Sequence, residues 1–279
     1  MNMCYNCHSD SYDWFDTEYG YDLVKCKGCG LLYVNPRPED QYISKAATLG
    51  QHQREKDQLV TGRYQRSKID GYLKVLRDIY PDCELERGNI NWLDIGCGFG
   101  EFIETIENYT KKKCFIMGVD PNQDKILSAK KRNLNVSTAN PDDLDKKFDY
   151  ISLLNVYSHL PDPPMFLTGI KKNLKKNGEL LLQTGHTSHI PKELQPRPYD
   201  LPDHLSFANK EIVVSILQRI GFEIIDVRMY RSSIYPRYYE ILKIAKLLVK
   251  VFIRRGEKLS HLHPKHPNTD MYIRCRLRA

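Results

Sequence analysis

The chain has 279 residues, 41% of them apolar and 28% charged, which leaves room for one large domain, or a large and a small one, around a sizeable core. No run approaches the ~18 uninterrupted apolar residues of a membrane span. The first residues, Met1-Asn2-Met3-Cys4, show neither the basic region nor the apolar run of a secretion signal, so a cytoplasmic location is expected. The net charge of +7 is uneven: from Arg228 onward eight arginines and five lysines face three acids. The whole positive excess therefore sits in the last fifth of the chain. It suits an anionic partner such as a nucleotide-linked substrate, a lipid surface or RNA, or else forms a solvated basic face.

Four of the eight cysteines fall in the first 29 residues, as Cys4-x-x-Cys7 and Cys26-x-x-Cys29. Two such knuckles can present four thiolates to one tetrahedral zinc ion, and a reducing compartment disfavours disulfides. Gly28 and Gly30 supply the bends the second knuckle needs. Four protein ligands leave no open position, so the ion would be structural. It would stabilise a module of about 40 residues that is small to fold alone.

Leu31 to Val34 reads as a short strand, and Asn35-Pro36-Arg37-Pro38 as an extended linker, which sets a boundary near residue 40. Residues 41–88 read as a helical connector with Ile69, Leu73 and Leu76 on one face, and Pro81 ends its helix. Tyr42, Arg63 and Tyr64 of this connector are candidates to reach a pocket or to stay on the surface. From residue 89 to 279 strands and helices alternate. Strands are expected over 89–95, 114–119, 136–139, 148–154, 179–183, 222–227 and 271–277, and helices over 101–109, 123–132, 165–174 and 210–220. The pattern predicts an α/β, Rossmann-like, seven-stranded and mostly parallel sheet whose last strand is antiparallel. Ligands of such sheets sit beyond the C-terminal ends of the strands.

The chain is organised around Asp94-Ile95-Gly96-Cys97-Gly98-Phe99-Gly100-Glu101, a strand entering a tight turn and a helix N-terminus. A dinucleotide fingerprint wants glycine where Glu101 stands, and an acid there repels a pyrophosphate. A phosphate-binding P-loop would need Gly-Lys-Ser/Thr, which is absent. Asp94 suits a cationic ligand instead, and S-adenosylmethionine carries an ammonium and a sulfonium without a phosphate. The next strand, Phe115 to Val119, ends in Asp120, placed to accept ribose hydroxyls.

These residues, with Gly118-Val119-Asp120-Pro121 and Asn155-Val156-Tyr157-Ser158-His159-Leu160-Pro161, resemble the class I S-adenosylmethionine-dependent methyltransferases. The knuckles followed by Gly30 to Pro38 resemble a subgroup with an N-terminal zinc-binding module, which includes sugar C-methyltransferases and enzymes of surface-polysaccharide synthesis. The resemblance implies that Asp94, Gly96, Cys97, Gly98 and Gly100 line the methionine moiety, and that Asp120 and Pro121 hold the ribose. It implies the adenine beside Asn140, Asp142 and Asp143, and the methionine end beside Asn155. His159 matches the histidine of the family's Glu-His-Leu, but Ser158 stands in place of the glutamate.

Methyl transfer needs alignment and a base. His204 is the favoured base, assisted by Tyr157 and His159, with His186 and His189 as further candidates. The stretch Tyr199 to Phe207 looks like the subgroup's substrate loop. An insert at 231–268 carries a basic amphipathic helix over 238–255, able to cap the pocket, dimerise or touch a membrane, and His261, His263 and His266 follow it. The expected acceptor is an anionic small-molecule or glycan-linked substrate, a sugar in nucleotide-linked or surface-glycan form methylated at oxygen or carbon. RNA methylation and a non-catalytic scaffold are the alternatives. Against RNA, the N-terminal module carries Asp10, Asp13, Asp16, Glu18 and Asp22 before its first basic residues.

Overall fold

The computed structural model describes residues 3–53, 57–60, 62–80, 85, 89–111, 113–230 and 268–278. The basic helix expected over 238–255 and the histidines at 261, 263 and 266 lie outside the described residues.

The catalytic half alternates as its sequence pattern requires. β6 (Asn91–Ile95) leads to α3 (Glu101–Tyr109), β7 (Phe115–Val119), α4 (Gln123–Lys130) and β8 (Val136–Ser137). Then come β9 (Phe148–Leu154), α5 (Pro163–Ile170), β10 (Leu174–Gly185), the short β11 (Ser206–Phe207), α6 (Lys210–Arg219), β12 (Phe222–Tyr230) and β13 (Asp270–Leu277). The main sheet has seven strands in the order β12-β13-β10-β9-β6-β7-β8. β10, β9, β6, β7 and β8 run parallel, and β13 inserts antiparallel between β10 and β12. Side chains alternate across a strand, so neighbours divide between two cores. Trp92 packs with Ile103 and Ile116 on one face, while Leu93 joins Ile151 and Val213 on the other. Trp92 also stacks on Tyr150 with ring centroids 4.8 Å apart, an aromatic pair that fixes β6 against β9.

The connector is more varied than its polar helical spacing predicts. α1 (Asp40–Leu49) ends at Gly50 in the left-handed region, and a hairpin of β4 (Gln51–Gln53) and β5 (Gln58–Val60) follows before α2 (Ser67–Ile79). α2 buries Tyr72, Val75, Leu76 and Ile79, so its inner face lies one position away from the expected Ile69-Leu73-Leu76 stripe but shares Leu76 with it. The helix stops at Tyr80, whose backbone is extended as a residue before proline requires.

Between the cysteine pairs stands a hairpin, β1 (Tyr12–Glu18) with β2 (Tyr21–Cys26), turned at Tyr19-Gly20, both at positive φ. β3 (Leu32–Val34) pairs with β2 on one side and with β11 on the other. The module therefore does not stand apart: its sheet is β1-β2-β3-β11, closed by a strand from the catalytic half. Cys4, Val24, Cys26, Leu31 and Tyr33 belong to the same core as Leu93 and Ile151.

Candidate functional site

The turn after β6 is held open by its own backbone. Gly96, Gly98 and Gly100 all take positive φ, at 71°, 54° and 85°, a region costly for side-chain-bearing residues. A Cβ on Gly96 would overlap Val156, and one on Gly100 would overlap Leu134, whereas a Cβ on Gly98 would meet nothing. Gly98 thus faces the open space where a ligand can approach the backbone. Asp120 at the end of β7 accepts from Gly98 N and Asn122 N, each at 2.9 Å. Arg132 braces the turn from outside, hydrogen-bonded to the Phe99 carbonyl and to Glu104.

Three carboxylates surround this turn without a cation among the described residues that pairs with them: Asp94, Glu101 and Asp120 are 2%, 5% and 7% exposed. Burial, and then the charges of Asp120 and Glu101, push Asp94 up to about 7 against the opposing hydrogen bond from Ser152 Oγ at 2.5 Å. Such a cluster is relieved by a positive ligand and repels a phosphate.

A cavity of about 260 Å³ opens over the turn, lined by Gly96, Cys97, Gly98, Asp120, Pro121 and Asn155. Tyr42, Arg63, His52 and His159 face it too. The connector reaches the site as the sequence allowed for Tyr42 and Arg63. Tyr64 instead donates to Glu104 and lies under Arg132. Asn140 does not line this cavity: it is exposed and its side chain caps the turn that follows it, accepting from Asp142 N at 3.0 Å.

A second cavity, about 310 Å³, adjoins the first, and Lys68, Tyr72 and Asn155 line both. Its other walls include Gln183, Tyr199, His204, Phe207 and Asp270. His204 and His159 meet edge to face with centroids 4.6 Å apart. His159 Nδ1 lies 2.9 Å from Asp203 Oδ1 and 2.8 Å from the Asp203 carbonyl. A carbonyl only accepts, so Nδ1 carries the proton and Nε2 keeps its lone pair. His52 Nε2 holds the same carboxylate oxygen at 3.0 Å. Burial opposes the charge on His159, but Asp203 outweighs it and raises the imidazole above its ordinary value. Burial would likewise raise Asp203, yet the two imidazoles keep it well below the usual carboxylate range. His204 is pushed down to about 3 by burial and by His159, so it is neutral at physiological pH.

Tyr157 takes no place at either cavity. Its side chain is 1% exposed, packed in the core, and burial raises its phenol well above 10, so it is corrected from an assisting base to a packing residue. His186 accepts from Lys210 N at 2.9 Å and stacks near His189, outside both cavities. Sequence reasoning missed His52, Lys68, Tyr72, Gln183, Asp203 and Asp270. Gln183 at least left a signal: a polar residue at the C-terminal end of an otherwise apolar strand marks the ligand edge of such a sheet.

The N-terminal sulfurs draw together. Cys4 and Cys29 Sγ are 3.5 Å apart, Cys7 and Cys26 Sγ 3.4 Å, and all four atoms lie within 4.8 Å of one another. Zinc–sulfur bonds of about 2.3 Å in a tetrahedron set sulfurs about 3.8 Å apart, a spacing these four atoms reach with small shifts. A Cβ on Gly28 would press on Cys7 Sγ, so the second knuckle depends on that glycine. The module also grips the loop that carries Asp203 and His204. Glu18 accepts from Tyr199 N at 2.9 Å and Leu201 N at 3.1 Å, and Asp16 pairs with Arg197 and Lys192. Leu23, Leu32 and Val34 pack directly on Tyr199 and Leu201.

The parallel sheet, the glycine turn and the carboxylates around an open cavity define the class: a methyltransferase domain of Rossmann-like architecture with a site for S-adenosylmethionine. Residues 63–227 match the family described as "Methyltransferase domain", and the chain belongs to that family. Ubiquinone biosynthesis O-methyltransferases are relatives: that of Bradyrhizobium diazoefficiens is 31% identical over 105 residues, covering 35% of this chain and 40% of its own. That of Pelagibacter ubique is 34% identical over 104 residues, covering 34% of this chain and 42% of its own. The chain thus spans well under two thirds of the relatives it matches. Among solved structures, a methyltransferase from Archaeoglobus fulgidus described as SAM dependent has a TM-score of 0.50 at 19% identity, covering 75% of this chain and 94% of its own. The [4+2]-cyclase SpnF reaches 0.53 at 17% identity, covering 75% and 82%. Both show the shared fold.

Proposed function

We propose that the protein transfers a methyl group from S-adenosylmethionine to an oxygen or carbon of a sugar, in nucleotide-linked or surface-glycan form. The observation that carries this reading is the pair of cavities meeting at Lys68, Tyr72 and Asn155. One lies against carboxylates that favour a cation, and the other against a mixed wall of rings and hydrogen-bonding groups. When bound, S-adenosylmethionine supplies a methyl group on a sulfonium, already a good leaving group. The glycine turn and Asp120 fix its position, and the shared residues align the acceptor in line with it. His159, oriented by Asp203, takes the acceptor's proton on Nε2, in place of His204, the base favoured from the sequence. Burial keeps His204 neutral and weakly basic, and it accepts a hydrogen bond from the bound acceptor. Cys4, Cys7, Cys26 and Cys29 hold a structural zinc ion that keeps the substrate loop in place.

A second reading is favoured by the relatives, whose names state O-methylation in ubiquinone biosynthesis. In that case the acceptor is a ring hydroxyl of a phenol. The RNA alternative gains nothing from the module, whose Asp16 and Glu18 are engaged inward with the loop. Incubation of the purified protein with S-adenosylmethionine and either nucleotide sugars or dihydroxybenzenes, followed by assay of S-adenosylhomocysteine, separates the readings. Failure of calorimetry to detect S-adenosylmethionine binding would remove both.

A further inference from the structure

The second cavity holds a carboxylate to which neither reading above gives a task. Asp270 opens β13, paired in register with Gly185 at the end of β10. Its Oδ1 accepts from Gln183 Nε2, and Gln183 Oε1 accepts from Asn155 N at 2.6 Å. A continuous chain of hydrogen bonds therefore runs from Asn155, one of the three residues lining both cavities, to Asp270. Asp270 Oδ2 makes no hydrogen bond or ion pair among the described residues. A partly buried carboxylate with one oxygen unmet is costly unless a ligand donates to it. Thr187 lines the same cavity, is 7% exposed, and its hydroxyl oxygen has no partner among the described residues.

The same cavity is also lined by flat surfaces: Tyr72, Tyr199, Phe207 and Pro198. Flat apolar faces with polar groups at one edge select a planar or puckered ring with hydroxyls on its rim. An unbranched lipid would leave Asp270 and Thr187 unpaired. The cavity, about 310 Å³, is at the small end of ligand sites, a size for one ring rather than a chain of them.

We propose that this cavity is the acceptor chamber, that it takes a six-membered ring bearing adjacent hydroxyls, and that one of those hydroxyls donates to Asp270 Oδ2. The inference rests on the methyltransferase reading and deepens it by naming the acceptor's chemistry. A pyranose and a dihydroxybenzene share that chemistry. Burial raises Asp270 to about 6 against the opposing Gln183 bond, so the group is a carboxylate at pH 7.5 and gains a proton below 6, when an accepting oxygen is lost.

Saturation-transfer NMR on the full chain loaded with S-adenosylhomocysteine tests this, with catechol, methyl α-glucopyranoside and anisole as probes. Catechol or the pyranoside should receive saturation and anisole should not. Asp270→Ala should weaken the bound probe about tenfold or more, and Asp270→Asn, which keeps the shape, should weaken it less. Both variants should retain S-adenosylhomocysteine binding, which reports an intact fold. Binding of the pyranoside alone assigns a sugar, and of catechol alone a phenol. Diol probes that bind Asp270→Ala as well as the parent, or that fail to bind while S-adenosylhomocysteine does bind, overturn the inference. Loss of S-adenosylhomocysteine binding in the parent chain is a different failure, since it removes the donor reading on which the inference stands.

Discussion

The donor side and the acceptor side of this site are built in opposite ways. The turn beneath the donor cavity is one continuous run, β6 to the start of α4, built mostly of backbone, with three glycines at positive φ and amides bound to Asp120. The cavity's other walls come from α1, α2 and the loop after β9. The acceptor chamber collects side chains from α2, the end of β10, the loop before β11 and the start of β13. It is further held by a module at the other end of the chain, through Glu18, Asp16 and the pairing of β3 with β11. A local backbone device can be broken at one residue. A side-chain assembly drawn from distant segments is broken wherever its support is removed.

The largest expected effect falls on the acceptor side. If Cys4, Cys7, Cys26 and Cys29 hold the proposed zinc ion, a chelator or Cys26→Ser would take away binding worth about 10–16 kcal/mol in small zinc modules. Hydrogen exchange should show residues 12–34 and 195–207 losing protection together, while 91–120 stay protected longer. Equal loss everywhere would erase the distinction between the two sides. On the donor side, Gly96→Ala places a Cβ on Val156 at positive φ, and S-adenosylmethionine affinity measured by calorimetry should fall about hundredfold. Gly98→Ala meets no atom, so only the backbone penalty of ~1–2 kcal/mol applies and the loss should be about tenfold.

Glu18→Gln sharpens the contrast further. One amide oxygen cannot replace a carboxylate that accepts from both Tyr199 N and Leu201 N, a loss of about 1.5–3 kcal/mol. Donor affinity should be unchanged and the acceptor's kcat/KM should fall about tenfold. For Asp203→Asn the sign follows from the cause: Asp203 raises His159, so its removal lowers the imidazole's value. The alkaline-rising limb of the pH–rate profile should move to lower pH, and the maximum rate should drop as the base weakens. The smallest effect is proton-linked donor binding. Asp94 stands near 7 in the empty site and a bound cation would lower it, so binding near pH 7 should release a fraction of a proton. Calorimetry in buffers of different ionisation enthalpy reads that release, and affinity should rise as pH increases through 7.

The same contrast explains what could be read from the sequence. Gly96, Gly98, Gly100 and Asp120 were legible because a backbone device needs particular residue types at short, fixed spacing. The seven strands were legible because their apolar runs are local. Asp270 was not, since a lone acid at a strand start acquires a role only when the antiparallel insertion of β13 brings it against Gln183, whose polar side chain at a strand end was the one signal of that wall. His159 was legible as a motif residue, but its partner Asp203 lies in another loop and only tertiary contact joins them. Tyr157 read as chemistry because of its neighbours, while its own position points into the core. The hairpin between the cysteine pairs escaped because Tyr12 to Glu18 is largely polar and has one solvent-facing side.

The shared strand has a consequence for engineering. β11 belongs by sequence to the catalytic half but by pairing to the N-terminal sheet, so a transplant of acceptor preference cannot be cut at residue 40. A chimera that receives a foreign 186–207 loop alone would lay it on Glu18, Asp16 and the edge of β3, all shaped for the native loop. Acceptor preference should therefore pass between homologous enzymes only as a graft of two pieces, the loop and residues 12–34, while the glycine turn stays in place as a common chassis.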